Sequence, residues 1–300
     1  MEVRGRHRLA GAAPAPQGAL RSVHARGVLA WSGACLVIVL STTNPAYRSL
    51  VLAAATAVVV AAAGPARARR PLIGAAALGL SAAALNLISA HLGADVLFAL
   101  PSWIPALGGP YTLEALVYGL GTGVTLAAAL LAVAPVSLLL EPFEVVEALP
   151  GALARTGSAI AAALNLVPGI AASFTAVVEA QRLRGWRPRG PTSWAAVVVP
   201  VVLSAIEDSI QLAEAMEARA FGSGPRTRLR RPGPGRPDRL AMGATGVAVA
   251  AFLTARVVGW AADWDPYPFL SPPSLSPLPV LACLVLALPG WSWRSSASTG

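Results

Sequence analysis

The chain has 300 residues, of which 55% are hydrophobic and only 12% charged, and its mean hydropathy is +0.63. Soluble domains carry about 25% charged residues, so this composition cannot cover a water-facing surface and describes a polytopic membrane protein. The net charge of +9 comes from arginine alone, because the sequence contains no lysine. A P-loop needs a lysine to reach the β- and γ-phosphates, which excludes a Walker-type ATPase.

Residues 1–27 form a basic tail (Arg4, Arg6, Arg8, Arg21, Arg26) ahead of an apolar run from Val28 to Leu40. No small-x-small cleavage site closes that run and further spans follow, so it reads as a first span and not as a signal peptide. A span needs about 20 mainly apolar residues. Segments 28–43, 48–64, 71–92, 112–140 and 240–262 meet that need, and 274–291 supplies a sixth. The expected organisation is therefore a tail at 1–27, transmembrane helices over 28–140, a distinct region at 141–239, two more spans over 240–291 and a short tail at 292–300. Cys35 and Cys283 lie inside apolar runs and read as small hydrophobes. His7, His24 and His91 are scattered without ligand-like spacing, so no metal site or other cofactor is expected.

Arginine bias sets orientation. With the N-terminus inside, 21 of the 23 arginines fall on inner segments, and only Arg48 and Arg256 fall outside, near span ends. The outer loops 93–111 and 263–273 carry no arginine, and Trp103, Tyr111, Trp260, Trp264 and Tyr267 are placed to act as interface anchors. Both termini are then cytoplasmic, in the cell membrane, with 141–239 on the same side. Glu114 and Arg256 are read as snorkelling from span ends.

Residues 156–179 and 192–213 are apolar but run into charged ends. On the second, Leu203, Ile206, Ile210 and Ala213 form an apolar stripe at helical spacing, with Arg219 roughly opposite. Glu207, Asp208, Gln211, Glu214 and Glu217 fall within eleven residues, and a central charge costs about 2.5–3.5 kcal/mol on insertion scales. The two segments are accordingly read as amphipathic helices at the cytoplasmic face. Glu141–Ala154 is amphipathic too, with Phe143, Val146, Leu149 and Leu153 on one face. An inserted hairpin preserves the same parity, so charge alone leaves that alternative open.

The clear spans lack midplane carboxylates or histidines of the kind proton-coupled carriers use. No nucleophile elbow, HExxH, CxxC or carboxylate pair points to an enzyme. What stands out is a pair of arginine-tipped helix ends 35 residues apart, Ala180-Gln181-Arg182-Leu183-Arg184-Gly185 and Ala215-Met216-Glu217-Ala218-Arg219-Ala220. Dipole compensation, an ordinary glycine stop at Gly185 and positive-inside bias would each put such residues here without any partner.

The larger pattern resembles the transmembrane coupling (T) component of energy-coupling factor transporters, the EcfT/CbiQ family. Asn44-Pro45 precedes the second span, Leu164-Asn165-Leu166-Val167-Pro168 is similar to the family's apolar run ending in proline, and Glu214–Gly222 is similar to its second arginine motif, followed by Arg226-Thr227. The convincing similarity covers about residues 140–228, with weaker support at 44–64. The first tip departs as Leu-Arg-Gly and the second as Ala-Arg-Ala, while both central arginines are kept.

This resemblance implies an all-α membrane subunit with long cytoplasmic coupling helices over 141–239 and no active site of its own. Its implied partners are two ABC-type ATPase subunits, a substrate-binding S component for vitamins or transition-metal ions, and the lipid bilayer, with no nucleic acid. Arg184 and Arg219 would each enter an acidic groove on one ATPase, flanked by Ala180, Gln181, Gly185, Ala215, Met216, Glu217, Ala218 and Ala220. Phe143, Val146, Leu203, Ile206 and Ile210 would carry the S component, and ATP-driven closure would bring the two tips together. The alternative is a self-contained permease or channel, in which 156–179 and 192–213 are true spans.

Overall fold

A computed structural model describes residues 24–90, 93–101, 103, 108–148, 154–220, 234–267, 269–290 and 293. Most of the basic tail, Leu149 and Leu153 of the amphipathic face, Phe221-Gly222, Arg226-Thr227 and the end of the chain lie outside those residues. The elements in order are α1 (Ala25–Ser41), α2 (Pro45–Ser89), β1 (Val96–Leu100), β2 (Gly109–Thr112), α3 (Leu113–Leu139), α4 (Pro142–Glu147), α5 (Ala154–Leu183), a 3-10 turn (Pro191–Trp194), α6 (Ala195–Ala218), α7 (Arg236–Val257) and α8 (Pro277–Val285). The protein is thus an all-α polytopic membrane protein. Among the described residues, five helical segments are long and apolar enough to cross a bilayer, namely those in α2, α3, α5, α6 with its preceding turn, and α7.

The chain divides into two compact units, one formed by Met1–Leu140 with Gly233–Gly300 and the other by Glu141–Pro232. In the first unit α2 and α3 pack most extensively, and α1, α7 and α8 complete the bundle. Small residues permit the close α2–α3 approach. A Cβ placed on Gly123 would run into the Gly79 carbonyl oxygen, and one on Gly119 would lie 2.9 Å from the Ala83 carbonyl oxygen. Gly119 and Gly123 on α3 therefore face Gly79 and Ala83 on α2, a small-xxx-small pair suited to helix contact in lipid.

The two expected spans at 48–64 and 71–92 belong to one element that breaks at Gly64, whose φ of 77° and ψ of 160° are not helical. Pro65 follows, and without an N–H it cannot donate back across the break. Val59 and Val60 from the first arm, Ala68 and Leu72 from the second, and Ala134 and Leu138 from α3 converge beside it. Within α1, Trp31 is fully buried, donates from Nε1 to the Leu286 carbonyl at 2.7 Å and meets Trp293 edge-on. Cys35 and Cys283 are buried free thiols.

Asn44-Pro45 acquires a physical account. Asn44 Oδ1 accepts the Ala46 N–H at 3.0 Å and Pro45 occupies the first helical turn, a favourable start for α2. The same amide donates to the Ser274 carbonyl at 2.8 Å, while the Tyr47 hydroxyl accepts the Ser276 N–H at 2.9 Å. Thr43 accepts the Trp264 N–H and donates to Asp263. The α1–α2 turn is therefore the anchor for the segment joining α7 to α8.

Three expectations are corrected. Arg256 does not snorkel freely: it pairs with Asp263 at 2.7 Å and donates to the Ala261 carbonyl. The Arg256 hydrogen bond holds the Asp263 carboxyl below its ordinary range. Glu114 turns inward and is fully buried, accepting the Ala94 and Asp95 N–H groups at 3.0 and 3.1 Å. A buried carboxylate is tolerable only with such donors. The sixth expected span, 274–291, is not one continuous helix among the described residues: the nine-residue α8, about 14 Å at 1.5 Å per residue, gives way to a turn at residues 286–288. The prolines at 277 and 279 begin α8, and Pro289-Gly290 lies just beyond its end. Finally, Val96–Leu100 and Gly109–Thr112 form an antiparallel hairpin in which Phe98 stacks on Tyr111 at 4.7 Å.

Candidate functional site: two arginine-capped helix ends

Both arginine tips belong to the second unit. At the end of α5, the Trp186 N–H donates to the Gln181 carbonyl at 2.9 Å and the Gly185 N–H to the Arg182 carbonyl at 3.0 Å. These are the two bonds of a Schellman stop. They make Arg184 the C-cap and Gly185 the left-handed residue after it, with φ +83°. At the end of α6, Arg219 is again the C-cap, the Ala220 N–H donates to the Glu217 carbonyl at 2.8 Å, and Ala220 is left-handed at φ 54°. The two arginines thus hold the same stereochemical position, the last residue before the chain leaves the helix.

Arg184 and Arg219 are exposed, as are Ala180, Gly185, Ala215, Glu217, Ala218 and Ala220, while Gln181 and Met216 are half-buried. Neither guanidinium makes an ion pair with another described residue. Each keeps a planar fork of donors available for a bidentate acidic partner, and the small neighbours leave room for approach.

Ala220 explains why the second tip departs from glycine at a cost. A left-handed conformation costs a non-glycine residue about 1–2 kcal/mol, and Ala220 is the one non-glycine residue with positive φ among those described. Ala220→Gly is expected to stabilise the end of α6 by about 0.5–1 kcal/mol, net of the extra entropy glycine has when unfolded. Slower amide exchange over residues 216–220 would register it; faster exchange would show that the strain is not there.

The first tip is held by contacts that sequence reading missed. Gln181 Nε2 donates to the Ala196 carbonyl at 3.2 Å, and Trp186 Nε1 donates to the Ser193 carbonyl at 2.9 Å. Trp194 stacks on Phe174 and meets Trp186 edge-on. The first tip therefore sits against the beginning of α6. Since α6 has 24 residues at 1.5 Å each, the second tip lies about 35 Å away.

Leu203, Ile206 and Ile210 form an uncovered face on α6, each about half exposed. Phe143 and Val146 share one face of α4 and are half-buried; α4 packs on α5, and α5 on α6. The structure thus leaves an apolar surface on α6 and a partly covered one on α4. An apolar groove lined by Val167, Ile170, Ala171 and Phe174 runs along α5. Among the described residues, no group of three His, Cys, Asp or Glu side chains gathers as a metal site.

The cobalt transport protein family (CbiQ) matches residues 17–229, a stretch that includes both tips. The chain belongs to the CbiQ family. No curated protein matches it at a significant level. Family membership makes this chain a membrane transport component, and the matched stretch runs from the basic tail through α6 and stops before α7.

Proposed function

We propose that this CbiQ-family chain is the coupling subunit of an ATP-driven importer of the energy-coupling factor type. Arg184 docks in an acidic groove of one ABC-type ATPase subunit and Arg219 in the equivalent groove of a second. The apolar faces at Phe143 and Val146 and at Leu203, Ile206 and Ile210 carry a separate S component, which binds the vitamin or transition-metal ion. In this reading α5 and α6 lie at the cytoplasmic face of the cell membrane, on the same side as both termini, and the chain itself performs no catalysis.

The observation that carries this reading is the matched pair of exposed C-cap arginines about 35 Å apart. That spacing is too wide for one acidic groove and suits two separate subunits. Dipole compensation accounts for a basic residue near each helix end, but not for the same placement at both, each followed by a small, exposed left-handed residue, Gly185 or Ala220. The length and apolarity of α5 and α6 favour a second reading, a self-contained permease or channel with these helices inserted.

A photoreactive residue placed at Ala180 or at Ala215 separates the two readings. In the assembled transporter, each position is expected to capture an ATPase chain. Efficient uptake with neither position capturing one would favour the permease.

A further inference from the structure

We infer that Gln181 and Trp186 are positioning residues for Arg184, latching the first tip to the first turn of α6 so that this helix carries both arginines as one strut. The latch originates in a proline. Pro200 has no N–H, so the carbonyl of Ala196, four residues earlier, loses its helical donor. Gln181 Nε2 supplies a replacement at 3.2 Å.

Trp186 provides the second tie. Its indole N–H donates to the Ser193 carbonyl, in the turn immediately before α6, and its ring meets Trp194, which also stacks on Phe174. Ser193 Oγ accepts the Arg189 N–H and donates to the Gly190 carbonyl, closing the turn itself. Gln181 and Trp186 are joined to each other by the Schellman bond from the Trp186 N–H to the Gln181 carbonyl. Arg184 therefore lies within a closed bracket whose side chains both reach the start of α6. At the second tip Met216 stands where Gln181 stands in the first, and a thioether cannot donate such a bond.

This inference rests on the coupling role proposed above for its functional meaning, although its geometry does not. With the latch closed, α6 alone sets the Arg184–Arg219 separation, and a displacement of one tip is passed along that helix to the other. Any approach of the tips must open the latch or bend α6.

Spin labels at Arg182 and Ala218, in the full chain with Cys35→Ala and Cys283→Ala and reconstituted in nanodiscs, measure the separation by pulsed dipolar spectroscopy. One narrow population near about 35 Å is expected. Gln181→Leu and Trp186→Phe should each broaden it or add a second population without loss of helix content. Pro200→Ala returns an N–H that shares the Ala196 carbonyl with Gln181 Nε2, so it should raise helix stability while loosening the tip less than Gln181→Leu does. A simple helix-packing role predicts no such opposition. A broad distribution in the parent protein, or an unchanged one in Gln181→Leu, would overturn the latch. In the assembled transporter, Gln181→Leu should raise the ATP hydrolysed per solute imported. Broadened distances with unchanged coupling would retain the latch and overturn its part in transport.

Discussion

The double variant Arg184→Glu/Arg219→Glu is expected to insert and fold normally but to lose co-purification with ATPase subunits and ATP-driven uptake. Both side chains are exposed, and the bonds that end α5 and α6 are made by the backbone, so reversal leaves the helix stops in place. The local cost is an acidic residue at a helix C-terminus, about 0.3–1 kcal/mol each. The cost at the interface is larger. Truncating one partner of a buried charged pair costs about 2–5 kcal/mol, and at 1.4 kcal/mol per tenfold each tip would lose at least about 30-fold in affinity. Reversal adds like-charge repulsion to that loss.

The single variants should retain partial assembly, because the remaining tip still benefits from the tethering that two-point attachment provides. Lysine at either position should fall between the parent and glutamate, since an ammonium keeps the charge without the bidentate fork. Arg182→Glu serves as the neighbouring control and should leave assembly nearly intact. Full uptake and unchanged co-purification by the double variant would remove the role assigned to the tips.

What the sequence made legible was whatever depends on local pattern. Composition and apolar run length identify an all-α polytopic membrane protein, and Gly185 is readable as a helix stop because few other residues take a left-handed φ cheaply. The arginines are readable because two similar ends recur. Features that need a tertiary partner were not readable. Nothing near Gln181 says that its amide will meet a carbonyl freed by Pro200, nineteen positions later. Glu114 looks like a span-end charge until Ala94 and Asp95 bring their N–H groups to it. Val96–Leu100 is too short for a span and pairs only because Gly109–Thr112 returns beside it. The shortness of α8 was foreshadowed by its prolines, yet hydropathy averages over them.

The largest folding effect is expected at Gly123. A side chain there meets the Gly79 carbonyl oxygen, with the Gly79 carbonyl carbon at 3.0 Å and Cα at 3.4 Å. All three atoms belong to the backbone, so no rotamer change can make room and α2 and α3 must separate. Overpacking a tight contact costs about 1–3 kcal/mol and sometimes more. Separation also removes the close dispersion contacts on which helix association in lipid depends, where no hydrophobic difference between protein and solvent helps. Gly123→Leu should therefore lower the unfolding temperature in detergent sharply and reduce the monodisperse yield, with Gly123→Ala intermediate. Gly121, two residues away on the same helix, provides the internal contrast. A Cβ there meets nothing within 4 Å, and glycine in a helix interior is about 0.5–1 kcal/mol less favourable than alanine, so Gly121→Ala should be neutral or stabilising. If Gly123→Leu unfolded at the parent temperature, the α2–α3 approach would not be what limits stability. If both alanine variants lost stability equally, helix flexibility and not close packing would be what these glycines supply.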